Sequence, residues 1–525
     1  MKLPDKKTIC IIGGGFYGCY IAKKINENFK NIKIVIYEKN TDLLTEAGKN
    51  NQYRLHLGFH YPRSLQTIKQ TQDGSKIFIK EFKNFISKPK KNIYLIHKNS
   101  VVKFSTYKKV FKKLKIKFNE INLKKVKFLK NSKLYQGAIN TNEQVILLDK
   151  LIPNLKKFIK KNFKINFKNE VKKINSYSGE IIDNNNKIKK FDYIINTTYT
   201  NPNLGLKKKY QIKYEIAGMV KIKNTLKDTA ITIMDGPFVS LYPRNNKEAS
   251  ISSVKYTPIK KFRQLSSLKK YIKFAKKNKK KIEQKIINHS KNFFDDKIKI
   301  VNKGIILAPK VKILNDKFKT YQLLRDIGVD LPKYKLLKKF SDIDKLLKDF
   351  NYPHKSIIVK SRQGIGGRGV YLLVGNQKKE KEKFKWFGNF RREKKFYFLN
   401  STIKKKIFKP NISIIMEALV SPSYDVDILR YKKYYTSSIR KRKNPAGIPY
   451  KGSIVVNENR IEKTVKKISK FFDLEYILDI DFMTHDNSKK PLVCEINPRP
   501  SGSIVDSQNQ GKKIFTKFIK MLLKE

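Results

Sequence analysis

Long apolar runs are missing from this 525-residue sequence. No stretch of about eighteen residues is both uncharged and apolar, which excludes a conventional membrane-spanning helix. Cysteine is scarce. Cys10, Cys19 and Cys494 are too few and too scattered for a disulfide framework or a metal-ligand spacing, and point to a cytoplasmic protein. The opening Met1-Lys2-Leu3-Pro4-Asp5 lacks the apolar segment that a signal peptide needs. No internal repeat is visible, and no linker rich in Gly, Pro or Ser divides the chain. Acidic residues are also few, 43 against 118 Lys and Arg, for a formal charge of +75.

The charge is the most conspicuous feature, but its distribution matters more than its size. A basic surface attracts nucleic acid, anionic lipid and phosphorylated ligands by the same Coulombic logic. Here Lys is spread along nearly every segment and accompanies abundant Ile, Asn, Phe and Tyr. That is the mark of a nucleotide bias towards A and T. The densest runs, Lys276 to Lys281 and Lys378 to Lys383, read as solvated faces, so no specific nucleic-acid partner is expected. With 40% hydrophobic and 12% aromatic residues the chain can build cores, and its length calls for two to four domains.

Short β-branched runs at Thr8 to Ile12 and Ile32 to Tyr37 flank an amphipathic stretch, Tyr20 to Phe29, giving a βαβ beginning. Further strands are predicted at Phe163 to Ile174 and Tyr193 to Thr197. The pieces Ile93 to Ile96, Tyr214 to Ile222, Ala230 to Met234 and Ser250 to Tyr256 suit an inserted antiparallel sheet. Residues 261 to 291 read as one or more very basic helices. Near residue 300 the texture changes. Short strands within Lys297 to Lys312 lead to a helix, Asp316 to Ile327, that stops at Gly328 before Pro332. Strands at Ser356 to Lys360, Val370 to Val374 and Ile412 to Met416 follow, then two strands with acidic tips and a helix. The fold class is α/β and α+β, with domains at 1–300 and 301–525.

Gly13-Gly14-Gly15-Phe16-Tyr17-Gly18 fits G-x-G-x-x-G between a strand and a helix, and Glu38 ends the next strand. Gly13 permits the tight turn, Gly15 lets backbone N–H groups reach a pyrophosphate, and Gly18 allows close helix–strand packing. Glu38 would accept hydrogen bonds from an adenosine ribose. Residues 45 to 64, TEAGKNNQYRLHLGFHYPRS, resemble the segment after the second strand in the FAD-dependent D-amino-acid-oxidase and glycine-oxidase superfamily. The resemblance extends to Phe191-Asp192-Tyr193-Ile194-Ile195-Asn196-Thr197-Thr198, Asp235-Gly236-Pro237 and Leu241-Tyr242-Pro243-Arg244. It implies a Rossmann-like FAD-binding domain with an inserted substrate sheet, in which Asn51 and Gln52 reach the flavin side. Between residues 258 and 300 the chain departs from that pattern, lacking the closing glycine-bearing strand–helix unit. His56, His60, Tyr61 and Arg63 cluster in one segment, and Arg63 or Arg244 would clamp a substrate carboxylate.

Further on, Ser361-Arg362-Gln363-Gly364-Ile365-Gly366-Gly367-Arg368-Gly369 follows a strand ending at Lys360. Backbone N–H groups at Gly364, Gly366, Gly367 and Gly369 would cover a triphosphate, with Lys360 as a point charge. The Gly-Lys-Ser/Thr ending of a Walker loop is missing. Asp479-Ile480-Asp481-Phe482 and Cys494-Glu495-Ile496-Asn497-Pro498-Arg499 flank a polar turn. Period-two alternation puts Glu495 and Asn497 on one face, with Asp481 opposite Glu495, so three oxygen donors would meet a Mg²⁺ ion. Together these features resemble the ATP-grasp superfamily, of the carbamoyl-phosphate-synthetase and amino-acid-ligase type. The resemblance implies that Lys317, in Asn315-Asp316-Lys317, reaches a phosphate. It implies an adenine hinge at Ile414 to Leu419, including Glu417 and Leu419, and metal ligation by Asp481, Glu495 and Asn497. Arg499 would serve the phosphate, and Arg440 and Arg442 the acyl-phosphate or acceptor site. Where the family places an acidic residue on the ribose, this chain has Ser423, with Asp425 close behind.

The resulting expectation is a bifunctional enzyme using FAD, ATP and Mg²⁺ on small amino-acid-like or carboxylate substrates. A ligase with a non-catalytic flavin-binding domain is the first alternative. A basic nucleic-acid-binding scaffold with degenerate nucleotide domains is the second.

Overall fold

The computed structural model describes residues 7–29, 31–63, 65–206, 211–226, 228–296, 298–314, 316–363, 369–385, 387, 394–431, 434–443, 452–471, 476–497, 500–501, 504–511, 514 and 516–517. The chain divides into two compact units, one comprising Met1–Pro62 and Thr71–Ile313, the other Arg63–Gln70 and Leu314–Glu525.

In the first unit, Lys7–Ile12 lies between two parallel neighbours, Ile32–Tyr37 and Tyr193–Asn196, and Lys164–Asn166 joins the far edge. The last four residues of both Lys7–Ile12 and Ile32–Tyr37 are buried, as parallel strands covered on both faces require. Leu155 and Ile159, one turn apart on the helix Leu148–Asn162, meet Ile11 and Ile36 in one core, and Leu151 of the same helix packs with Tyr53 and Tyr242 in another. Each such buried aliphatic side chain contributes about 1.5–3 kcal/mol.

A nine-stranded sheet forms the rest of the unit. Thr229–Met234 runs parallel to Lys91–His97, while the other pairs from Pro258–Phe262 across to Phe118–Ile121 are antiparallel, so the inserted sheet is mixed where a wholly antiparallel one was expected. The long intervening chain makes a parallel pair possible, because no tight turn has to join the two strands. Two helices, Leu265–Lys277 and Lys279–Ser290, supply Leu268, Ile286 and Ile287 to the cores on this sheet. The stretch predicted as one strand at Phe163 to Ile174 is two, Lys164–Asn166 and Val171–Asn175, in different sheets. Lys168 turns the chain between them at φ 54°, its N–H bonded to the Asn40 carbonyl. The short strands expected near Lys297 to Lys312 form one long strand, Asn302–Leu314.

The second unit has two five-stranded sheets. In the first, Ile357–Ser361 is central, between Ser413–Glu417 and Val370–Leu373. In the second, the long strand Val420–Tyr431 pairs with Tyr434–Arg442 and Tyr476–Thr484, and Pro491–Asn497 closes the hairpin on Tyr476–Thr484. Ile461, Val465 and Ile468 line one face of the helix Asn459–Phe471 and pack on Val426, Ile428 and Ile480 of that sheet. No helix among the described residues is long and apolar enough to cross a membrane.

Candidate functional site

The glycine turn joins Lys7–Ile12 to the helix Phe16–Asn28. Gly13 takes φ +107°, and a Cβ at Gly18 would lie 2.0 Å from the Gly13 carbonyl oxygen, so this helix can approach the strand only without a side chain there. Thr197 Oγ1 donates to the carbonyls of Ile12 and Gly13 at 2.9 and 2.8 Å, holding the turn from the neighbouring strand. Gly15 is the N-cap and supplies no side chain to the helix N–H groups, while its own Cβ position faces open space. Those N–H groups suit an anion. The buried Glu38 carboxylate accepts from Gly14 N (2.7 Å) and Asn40 N (2.8 Å), which ties the second strand to the turn. This geometry fits the pyrophosphate and ribose of a dinucleotide cofactor.

The candidate substrate residues separate. Arg244 is buried, and its guanidinium donates to the carbonyls of Asn51 (2.7 Å) and Lys49 (3.3 Å) and lies 3.9 Å from the Tyr53 ring centroid. Its donors serve the 49–53 segment. Asn51 bonds within that segment, to Gly48 O and Tyr53 N. Arg63 is exposed and grouped with the second unit.

What the fold does gather is a polar cluster that brings His56 and His60 of the predicted segment to Arg54, Tyr94, Glu143 and Tyr242. Arg54 lies over the Tyr242 ring at 4.2 Å, and its guanidinium reaches His60 Nδ1 (3.2 Å), Tyr94 Oη (3.4 Å) and Gln52 Oε1 (3.3 Å). Arg54 forms no ion pair within 4 Å among the described residues, although the Glu143 carboxylate acts on it through space. Gln52 Nε2 is buried without a hydrogen-bond partner. Behind Tyr94, the fully buried Glu143 accepts from the tyrosine hydroxyl and from Leu57 N (2.8 Å), with His56 Nδ1 3.8 Å away. Burial opposes the charge of Glu143, but His56, Arg54 and Tyr94 hold its carboxyl below the ordinary range. Burial, with Arg54 adjacent, pushes His60 well below its ordinary value and keeps its ring neutral. The cluster adjoins the glycine turn, because Tyr53 and Tyr242 share a core with Phe16.

In the second unit, Asp316 caps the helix Lys317–Asp326 and pairs with Arg362 Nε at 2.8 Å, while Lys317 N donates to Arg362 O. The entry segment is thereby pinned beside the glycine loop. Gly364, Gly366 and Gly367 lie outside the described residues, as do Asn315 and Arg499; Gly369 O accepts from Ser361 N (2.9 Å) at the loop's base. Lys317 Nζ is 3.1 Å from Glu495 Oε1. Lys360 Nζ donates to Tyr321 Oη at 2.6 Å. In the hinge, Leu419 is buried and Glu417 accepts from Lys333 N (2.8 Å), with His485 Nε2 3.3 Å from its other oxygen.

The hairpin register sets Asp481 opposite Glu495 and Asp479 opposite Asn497, as alternation predicts. Asn497 Nδ2 reaches Asp479 (3.2 Å) and Asp481 (3.5 Å). Carboxylate oxygens of Asp425, Asp479 and Asp481 lie within 4.8 Å of one another, a hard oxygen donor set that fits Mg²⁺. Asp425 and Asp479 thus stand beside Asp481, one of the three expected ligands. The signal for Asp479 was present, since Asp479 and Asp481 alternate on one face. Arg442 bridges Asp425 and Asp481, the latter at 2.7 Å. Burial and then Asp479 raise Asp481 well above the usual carboxylate range. Asp425 is equally desolvated, yet Arg442 holds it low. Arg440 faces inward. It is fully buried, 2.5 Å from Asp427 and bonded to Ser501 and Ser507 at 2.8 and 2.9 Å. Its guanidinium ties the last described segment to the sheet, because a desolvated cation needs all these partners.

Burial lowers Lys360 to about 8. The ammonium is therefore complete below that pH and lost above it. Affinity for ATP should be flat at neutral pH and fall as pH rises through about 8, whereas adenosine affinity should not change. Calorimetric titration at several pH values checks this, and equal behaviour of the two ligands would exclude a phosphate role for Lys360.

Two different families match separate parts of the chain. Residues 11–73 match the NAD(P)-binding Rossmann-like domain family, and residues 409–525 match the family described as ATP-grasp in the biosynthetic pathway with Ter operon. The chain is 28% identical over 268 residues to the FAD-dependent monooxygenase FPY4 of Fusarium mangiferae, covering 49% of this chain and 66% of that protein. It is 25% identical over 193 residues to the carbamoyl-phosphate synthase of Methanobrevibacter smithii, covering 37% of this chain and 48% of that protein. The chain thus spans less than two thirds of each of these relatives. Among solved structures, glycine oxidase from Geobacillus kaustophilus aligns with a TM-score of 0.44 at 12% identity, over 58% of this chain and 82% of that one. This polypeptide joins a Rossmann-like dinucleotide-binding unit to an ATP-grasp unit.

Proposed function

We propose that the protein is a bifunctional cytoplasmic enzyme: an FAD-dependent oxidoreductase acting on an amine or amino-acid-like substrate, fused to an ATP- and Mg²⁺-dependent carboxylate–amine ligase. The reading is supported by the coexistence in one chain of two separately built candidate nucleotide sites. One is the Gly13–Gly18 turn with Glu38; the other is Lys317 and Lys360 with the acidic hairpin.

In the first unit, the turn's N–H groups bind the pyrophosphate and Glu38 favours an unphosphorylated ribose. FAD, when bound, supplies two-electron oxidation. Arg54 and Gln52 orient the substrate, because their donors face neutral acceptors or none. In the second unit, Lys317 and Lys360 hold ATP phosphates while a substrate carboxylate oxygen attacks the γ-phosphorus and ADP leaves. An amine then attacks the acyl phosphate, forming an amide and releasing phosphate. Mg²⁺, held by Asp481, Glu495 and Asn497 with Asp425 and Asp479 beside them, would neutralise the transferring group.

One observation favours the narrower reading of a ligase with a non-catalytic flavin-binding unit. Among the described residues, no strand after Asn196 returns to the parallel sheet; the chain continues into the nine-stranded sheet. The absorption spectrum of the purified protein separates the readings. Flavin bands that survive gel filtration and bleach with a substrate amine support the bifunctional enzyme. Bands that never bleach leave the ligase alone, and a colourless protein that FAD cannot reconstitute refutes the flavin assignment.

A further inference from the structure

We propose that Tyr321 is a positioning residue for nucleotide phosphates, acting through Lys360; the inference rests on the ATP-binding reading of the second unit. Tyr321 sits on the helix Lys317–Asp326, is 1% exposed, and its ring packs on Tyr334 at 4.9 Å. Its hydroxyl makes two short bonds at once: it donates to the Cys494 carbonyl at 2.6 Å and accepts from Lys360 Nζ at 2.6 Å. It therefore links three elements that carry the site. These are the entry helix with Lys317, the strand Ile357–Ser361 with Lys360, and the strand Pro491–Asn497, on which Cys494 directly precedes Glu495.

The bond fixes the ammonium rather than merely covering it. Lys360 Nζ lies 4.8 Å from the Tyr321 ring centroid but 2.6 Å from the hydroxyl. The nitrogen is thus beyond the ring's oxygen-bearing edge, where a hydroxyl lone pair points. A hydrogen bond holds it there, not attraction to the ring face. A lysine side chain has four rotatable bonds and substantial rotamer freedom, so a phosphate contact made by an untethered lysine forfeits that entropy on binding. Among the described residues Tyr321 is the hydrogen-bond partner of Lys360. Because the hydroxyl's one proton is committed to the Cys494 carbonyl, its lone pairs remain for the ammonium.

Removal of the hydroxyl in Tyr321→Phe keeps the ring and its packing, so the test uses the full-length chain and reads nucleotide affinity by calorimetry. ATP should bind about tenfold more weakly, as expected for one lost charge-assisted bond, and adenosine should bind as in the wild type. In a Lys360→Met background the same change should alter ATP affinity by less than about twofold, because the route through Lys360 is already gone. Where turnover is measurable, KM for ATP should rise with kcat nearly unchanged. Equal losses for ATP and adenosine, or full additivity of the two substitutions, would show a structural role and overturn the inference. A wild type that binds no ATP would overturn the nucleotide reading as well. A wild type that binds ATP, matched by Tyr321→Phe, would overturn this inference alone.

Discussion

Gly15→Val is expected to yield folded, colourless protein, whereas Gly18→Val is expected not to fold its first unit. Both positions belong to one glycine pattern, but the space around them differs. A Cβ at Gly15 meets nothing within 4 Å, so the fold tolerates it. The added branches would stand where the uncapped helix N–H groups meet a pyrophosphate, removing the site's main anion contacts. At Gly18 the Cβ would lie 2.0 Å from Gly13 O and 2.9 Å from Thr197 Oγ1. The obstacle is backbone held by its own hydrogen bonds, so the cost reaches or exceeds the ~1–3 kcal/mol typical of overpacking. Circular dichroism and thermal melting report the fold, and absorbance at the flavin bands reports the cofactor. Flavin retained by Gly15→Val would refute the pyrophosphate assignment, whatever the outcome at Gly18.

Glu495→Gln should lower the rate of ATP-dependent ligation by on the order of 100-fold, with little change in melting temperature. The substitution preserves shape but removes a negative charge from the metal-facing strand. It also leaves Lys317 beside a neutral amide where an ion pair stood at 3.1 Å. The glutamate side chain is 30% exposed, so its loss as an ion-pair partner costs stability little. Rates measured across a range of Mg²⁺ concentrations distinguish a metal role from a fold role. Partial recovery at high Mg²⁺ supports ligation by Glu495, and an unchanged rate at all concentrations refutes it.

Features set by short-range rules were legible in the residues. Alternation and a polar turn placed Asp481 opposite Glu495, and that is the observed register. The strand–glycine–helix order and the acidic end of the second strand were likewise readable, because turn geometry and strand period depend on neighbours in sequence. The stretch from Phe163 to Ile174 misled for the same reason. Its apolar pattern suits a strand throughout, and only the Lys168 turn divides it between two sheets.

The sequence by itself determined that a Rossmann-like unit and an ATP-grasp unit share one chain, where the glycine turn of the first begins, and which hairpin carries the acidic residues. Tertiary structure alone decided which cations remain available for ligands. Arg244 and Arg440 have the residue type that a substrate clamp requires. Burial commits Arg244 to backbone carbonyls and Arg440 to Asp427 and serine hydroxyls. Arg54 gained its place only when residues 52–60, Asn92, Tyr94, Glu143 and Tyr242 came together from distant segments. The physical reason is desolvation. A guanidinium removed from water must find every acceptor it can within the fold, and which acceptors surround it is set by long-range packing that no local pattern encodes.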